Sequence, residues 1–110
     1  MNLVILFGTL AEEPELKETK SGAKFCNFSL NVVGKKRSKD GTYSDETTFI
    51  PKITVWGKTA EKLTSEAIIG EPILVEAKIT SREYESKHYI DITADKVSFC
   101  EKATSNNTPF

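Results

Sequence analysis

Several stretches of this chain set apolar side chains at every second position, a period that a strand satisfies and a helix does not. Cys26, Phe28, Leu30 and Val32 alternate with Asn27, Ser29, Asn31 and Val33, and Ile73, Val75, Ala77 and Ile79 alternate with Leu74, Glu76, Lys78 and Thr80. Ile90, Ile92 and Ala94 repeat the pattern before Val97 and Phe99, while Ile53 and Val55 oppose Ile50, Lys52, Thr54 and Trp56. Successive strand side chains point to opposite faces, so each stretch predicts a strand with one face in a core and the other free.

The intervening segments set the order. Leu3 to Phe7 is a β-branched apolar run ended by Gly8, which predicts a first strand that can coil sharply. A polar connection over 12–23 follows, closed by the Ser21-Gly22 turn signal. Residues 34–46 carry no hydrophobic period and centre on Asp40-Gly41, which predicts a long mobile hairpin loop; a second long loop is predicted over 83–88. Pro51 interrupts the third strand and signals a bulge or an edge. Ala60, Leu63 and Ala67 share one face of a short helix, closed by Gly70 and Pro72. The chain is therefore read as all-β: a five-stranded Greek-key barrel of the OB-fold type, with one short helix between strands 3 and 4.

With 110 residues there is material for one core, so a single domain over 1–103 is expected, followed by a short disordered tail over 104–110 ending in Pro109-Phe110. No apolar run approaches the roughly 20 residues that cross a bilayer, and the chain is placed in the cytoplasm without a membrane partner. Cys26 and Cys100 lack CxxC spacing, which leaves free thiols in place of a metal site or a disulfide framework. His88, the one histidine, has no nucleophile motif beside it, and the carboxylates form no acid/base pair. No phosphate-cradling loop or zinc-deaminase pattern is present, so neither an enzyme nor a cofactor is expected.

Fifteen Lys and Arg against sixteen Asp and Glu give a net charge of −1, so only local clustering can point to a polyanionic partner. It does so at Lys35, Lys36, Arg37 and Lys39, four cations within six residues of the predicted hairpin. Aromatic residues accompany such cations. Strand parity sets Trp56 beside Lys52 and Thr54, away from Ile53 and Val55, and sets Tyr84 beside Lys78, Thr80 and Arg82. Tyr43 lies in the basic hairpin and Tyr89 closes the second loop. Exposed rings between cations form a surface on which any base can stack, which makes a single-stranded nucleic acid the natural ligand. Phe49 is left open: simple alternation sends it inward with Ile53, whereas a bulge at Pro51 turns it outward.

These residues also carry a resemblance. NLVILFGTL at 2–10, EPELK at 13–17, TKSG at 19–22 with FSLNV at 28–32, ETTFI at 46–50 and VWGKTAE at 55–61 resemble the bacterial-type single-stranded-DNA-binding proteins, over residues 2–100. The resemblance implies a homotetramer, or a dimer, with first strands pairing across an interface and DNA wrapped outside. It sets Trp56 and Tyr84 on family base-stacking positions. A family tryptophan is replaced near Lys36, and another position falls at Ile50, or at Phe49 if Pro51 marks a one-residue insertion. At about 1–3 kcal/mol per stacked base, fewer rings imply weaker and more salt-sensitive binding. The family tail docks replication and repair proteins through an acidic stretch ending Pro-Phe. Pro109-Phe110 match it, but the uncharged residues 105–108 before them argue against that recruitment.

The reading is thus sequence-nonspecific binding and protection of single-stranded DNA in replication, recombination and repair, in the cytoplasm at the nucleoid. Trp56, Tyr84, Phe49 and Tyr43 would stack bases, and Lys35, Lys36, Arg37, Lys39, Lys52, Lys58, Arg82 and Lys87 would meet phosphates. The alternative is an OB-fold protein-interaction module of a replication-restart complex; a metal-dependent nuclease is the remote third.

Overall fold

The computed structural model describes residues 1–100, and Pro109, Phe110 and the rest of the expected tail lie outside them. The strands are β1 Val4–Leu10, β2 Glu15–Glu18, β3 Lys24–Arg37, β4 Tyr43–Trp56, β5 Pro72–Tyr84 and β6 Lys87–Phe99, with the helix α1, Gly57–Glu66, between β4 and β5. Hydrogen bonding runs β1-β5-β6-β4-β3, and β3 pairs back onto β1, so five strands close a barrel. Buried Cys26, Phe28, Leu30, Ile53, Val55, Ile73, Val75, Ala77, Ala94 and Val97, the inward positions of the alternating stretches, fill it together with Leu10 of β1. Ala60 and Leu63 of α1 are buried against the same core, and Ala67 packs on it from just beyond the helix.

Closure depends on β1 changing partners partway along. Residues 4–9 pair with β5 and residues 8–10 pair with β3, so at Gly8 the strand lies against both. A Cβ there would sit 2.2 Å from the Asn31 carbonyl oxygen and 3.1 Å from the Val32 Cα, backbone atoms that cannot swing aside. The first strand therefore does not end at Gly8 but continues through it to Leu10, and the glycine is required for space.

The structure departs from the sequence expectations in four further places. The connection after β1 contains β2, which pairs with residues 24–27 along the same edge of β3 that β1 occupies farther on. The predicted long loop at 34–46 is mostly a paired ribbon: Gly34 faces Glu46 and Arg37 faces Tyr43, leaving only 38–42 as a turn. Likewise the predicted loop at 83–88 is a two-residue turn, since Tyr84 pairs with Lys87 and Glu85 and Ser86 both take positive φ, 51° and 64°. These are the dihedrals of the tight hairpin turn whose twist matches its strands. Finally, α1 stops at Glu66, before Gly70, because Ala67 turns to an extended conformation while its N–H bonds the Leu63 carbonyl.

Pro51 does mark a bulge. Phe28 pairs with Ile53 and Leu30 with Ile50, so Pro51 and Lys52 together oppose Ser29. The extra residue inverts the parity of β4 beyond it, packing Ile50 against the core and leaving Phe49 about half exposed at 51%.

Candidate nucleic-acid interface

Between β4 and β6 the barrel is joined by only two parallel residue pairs, Thr54 with Thr93 and Val55 with Ala94. From that seam two ribbons diverge, β3–β4 on one side and β5–β6 on the other, and the outer faces of their roots enclose an open groove. Its pocket of about 310 Å³ is lined by Phe25, Asn27, Lys52, Thr54 and Trp56 from one ribbon and by Thr80, Arg82, Asp91 and Thr93 from the other. Lys52, Thr54 and Trp56 thus share a face, as their parity predicts.

Trp56 ends β4 in extended conformation, and the chain then turns into α1 through Gly57 at φ 68°, a conformation that glycine adopts without strain. That abrupt turn keeps the indole in the strand's outward row, 47% exposed. Behind it stands Phe25, with ring centroids 5.0 Å apart and planes tilted by 35°. The Phe25 ring was not singled out from the sequence. The alternation of Cys26 and Phe28 does send it outward, but its contact with Trp56 is fixed by the β3–β4 register, which pairs the two residues.

The other rings lie farther along the ribbons. Phe49 pairs with Asn31 on the outer face that carries Phe25 and Asn27. Tyr43 pairs with Arg37 on that face, and Tyr84 pairs with Lys87 at the far end of the second ribbon. Tyr43 and Tyr84 are about two-thirds exposed, at 65% and 60%.

The cations divide into held and unheld. Lys35 is ion-paired with Asp45 across its ribbon, and the Arg82 Nε donates to Asp91 at 2.9 Å while its guanidinium lies 4.9 Å from the centre of the Tyr89 ring. Lys36, Arg37, Lys39, Lys52, Lys58 and Lys87 form no ion pair among the described residues. Of these, Lys52 lines the groove, Arg37 and Lys87 flank exposed tyrosines, and Lys39 sits in the turn. Lys36 falls on the opposite face of its ribbon, and Lys58 opens α1 without lining the pocket. The turn at 38–42 is ordered by Asp40, whose carboxylate accepts from the Ser38 and Thr42 hydroxyls and the Thr42 N–H; these bonds lower its pKa to about 2. Beneath the groove, Cys26 is buried and unpaired, and burial pushes its thiol pKa up, away from the reactive thiolate. Cys100 is also unpaired. Among the described residues no cluster of His, Cys, Asp and Glu is arranged to hold a metal ion, and no helix is long and apolar enough to cross a membrane.

Residues 1–100 match the family model described as the single-strand binding protein family. Single-stranded DNA-binding protein 3 of Clostridium acetobutylicum is 37% identical, over 97% of this chain and 76% of its own length. The single-stranded DNA-binding protein of Clostridium tetani is 38% identical, over 92% of this chain and 71% of its own. In fold, the chain superposes on the wild-type single-stranded DNA-binding protein of Thermus aquaticus with a TM-score of 0.81 at 22% identity, covering 92% of this chain and half (50%) of that one. The small single-stranded DNA-binding protein of Streptomyces coelicolor gives 0.68 at 20% identity, over 91% and 95% of the two chains.

Proposed function

The chain belongs to the single-strand binding protein family, and from that membership we propose that it binds single-stranded DNA without regard to sequence, stacking bases along its groove and ribbons and neutralising phosphates with the cations between them. The observation that carries this reading is the Trp56 indole, backed by Phe25 and open to a groove between two ribbons. Trp56, Phe49, Tyr43 and Tyr84 supply the stacking faces. Arg37, Lys39, Lys52 and Lys87 take the phosphates alongside them. Lys35 and Arg82 contribute less while their carboxylates hold them, and Lys36 and Lys58 meet only strand that leaves the groove.

The protein acts by occupancy and performs no chemistry on the strand, so its role is to shield and organise unpaired DNA in replication, recombination and repair, in the cytoplasm at the nucleoid. Self-association, as a dimer or tetramer, belongs to this reading. Ile5 and Phe7 on the outside of β1, with Leu3 just before it, set a row of apolar side chains, each more than half exposed (58%, 54% and 57%), which a second copy would cover.

Titration with oligo-dT, followed by the fluorescence of Trp56, the single tryptophan, tests the proposal. Strong quenching that weakens steeply with salt is expected. An unquenched indole at low salt would refute it and would favour a protein partner for the groove.

A further inference from the structure

The groove contains a polar arrangement that sequence-indifferent binding does not require. A surface that only stacks bases and neutralises phosphates needs rings and cations. Here a carboxylate, Asp91, lines the pocket and is only partly solvated, with its side chain 27% exposed. Standing near a phosphate path, it opposes binding. Against the edge of a base, it is a hydrogen-bond acceptor with a defined position.

That position is fixed from behind. Oδ2 of Asp91 accepts from the Arg82 Nε at 2.9 Å, and Arg82 rests on Tyr89, so the carboxylate is oriented and Oδ1 is left to accept another donor. On the facing wall, the Thr54 hydroxyl donates to Oδ1 of Asn27 at 2.8 Å. This bond sets the orientation of the amide and leaves both N–H donors of Asn27 Nδ2 uncommitted among the described residues. Asn27 and Thr54 lie two residues along their strands from Phe25 and Trp56, about 7 Å at strand rise. That is within reach of the edge of a base stacked on the indole. The pocket volume, about 310 Å³, is at the low end of ligand-site volumes (about 300–1,000 Å³), which suits one base and not several.

We propose that the floor of this groove is a base-edge subsite favouring cytosine over thymine, with Asp91 accepting from the exocyclic amine and Asn27 donating to the ring-side acceptors. Cytosine presents a donor at N4 followed by acceptors at N3 and O2, the complement of a carboxylate facing an amide N–H. Thymine presents the O4 acceptor where cytosine has its amine, so Oδ1 of Asp91 would meet a lone pair and remain partly desolvated without a donor. The subsite biases one position within a surface that otherwise tolerates any sequence, and it rests on the DNA-binding reading above.

The test compares dissociation constants for dC and dT homo-oligonucleotides of equal length, by Trp56 fluorescence, in the unaltered protein, Asp91→Ala and Asp91→Asn. Removing a negative charge tightens binding of both oligonucleotides, and the intrinsic stiffness of each strand is common to all three proteins. The quantity read is therefore the change in the ratio Kd(dT)/Kd(dC). It is expected to fall about fivefold in Asp91→Ala, the lower end of what one base-edge pair discriminates, and to fall in Asp91→Asn as well. The near-isosteric asparagine keeps the experiment decisive if alanine perturbs folding, and retained dT binding shows that the variant is folded. A ratio that stays within twofold in variants that still bind dT overturns the subsite and leaves the DNA-binding reading intact. An unaltered protein that binds neither oligonucleotide overturns both.

Discussion

Replacing Gly8 by alanine asks whether closure of the barrel rests on one missing side chain. The new methyl would lie 2.2 Å from the Asn31 carbonyl oxygen and 2.9 Å from its carbon, and neither atom can rotate away. The remaining response is for β1 to lift from β3, where Gly8, Thr9 and Leu10 pair with Val32, Asn31 and Leu30. Each lost backbone hydrogen bond costs about 1 kcal/mol, and partly exposing Leu10, now 1% accessible, costs about 1–2 kcal/mol more. A destabilisation of about 3–5 kcal/mol is expected, a large share of the 5–15 kcal/mol typical of a whole domain. At roughly 4–8 °C per kcal/mol for a domain of this size, Tm falls by about 12–40 °C. Thermal unfolding followed by far-UV circular dichroism measures it. The matched control is Gly34→Ala, where a Cβ meets nothing within 4 Å and the backbone is not left-handed; it should be neutral or stabilising by up to about 1 kcal/mol. If Gly8→Ala melts within about 3 °C of the unaltered protein, the steric account of closure is wrong.

Three further outcomes follow from the site and its ribbons. Asp45→Ala should release Lys35 to the strand and steepen the slope of log affinity against log salt by about 0.7, the increment for one more phosphate on a single strand; an unchanged slope in fluorescence titrations would mean that the ion pair does not withhold Lys35 from DNA. Asp40 has a folded-state pKa of about 2, below its ordinary 3.8, so the order it gives the 38–42 turn is fully present above about pH 4 and is lost as pH falls toward 2. The protection factor of the Thr42 amide, its exchange rate relative to the intrinsic rate at each pH, should fall across that window while amides of the barrel core stay protected. Ser86→Gly should relieve the left-handed backbone at the second turn and raise stability by about 0.5 kcal/mol, or roughly 2–4 °C in Tm; a lower Tm would show that the serine is not strained there.

What could be read in the sequence was what water enforces. Cys26, Phe28 and Leu30, or Ile73, Val75 and Ala77, alternate because one side of the strand must be dry, and those residues form the core. Where neither side is dry, the pattern vanishes although the strand persists. Residues 34–37 and 43–46 are mostly charged and polar on both faces, so their pairing is carried by backbone bonds that leave no mark on composition. β2, with no buried residue, is concealed for the same reason. Phe49 remained open because its face depends on how many residues of β4 oppose Ser29, a count that belongs to two strands and not to one. Trp56 was identified as an outward residue of its own strand. Phe25 behind it and Asp91 across from it needed the register of β3 with β4 and the seam between β4 and β6.

That seam governs how the molecule yields under load. The walls meet directly at two residue pairs and are otherwise tied through β1, which pairs with both β5 and β3, whereas along each ribbon a dozen paired positions resist bending. The direction least braced by strand pairing is therefore the one that widens or narrows the cleft at the β4–β6 seam.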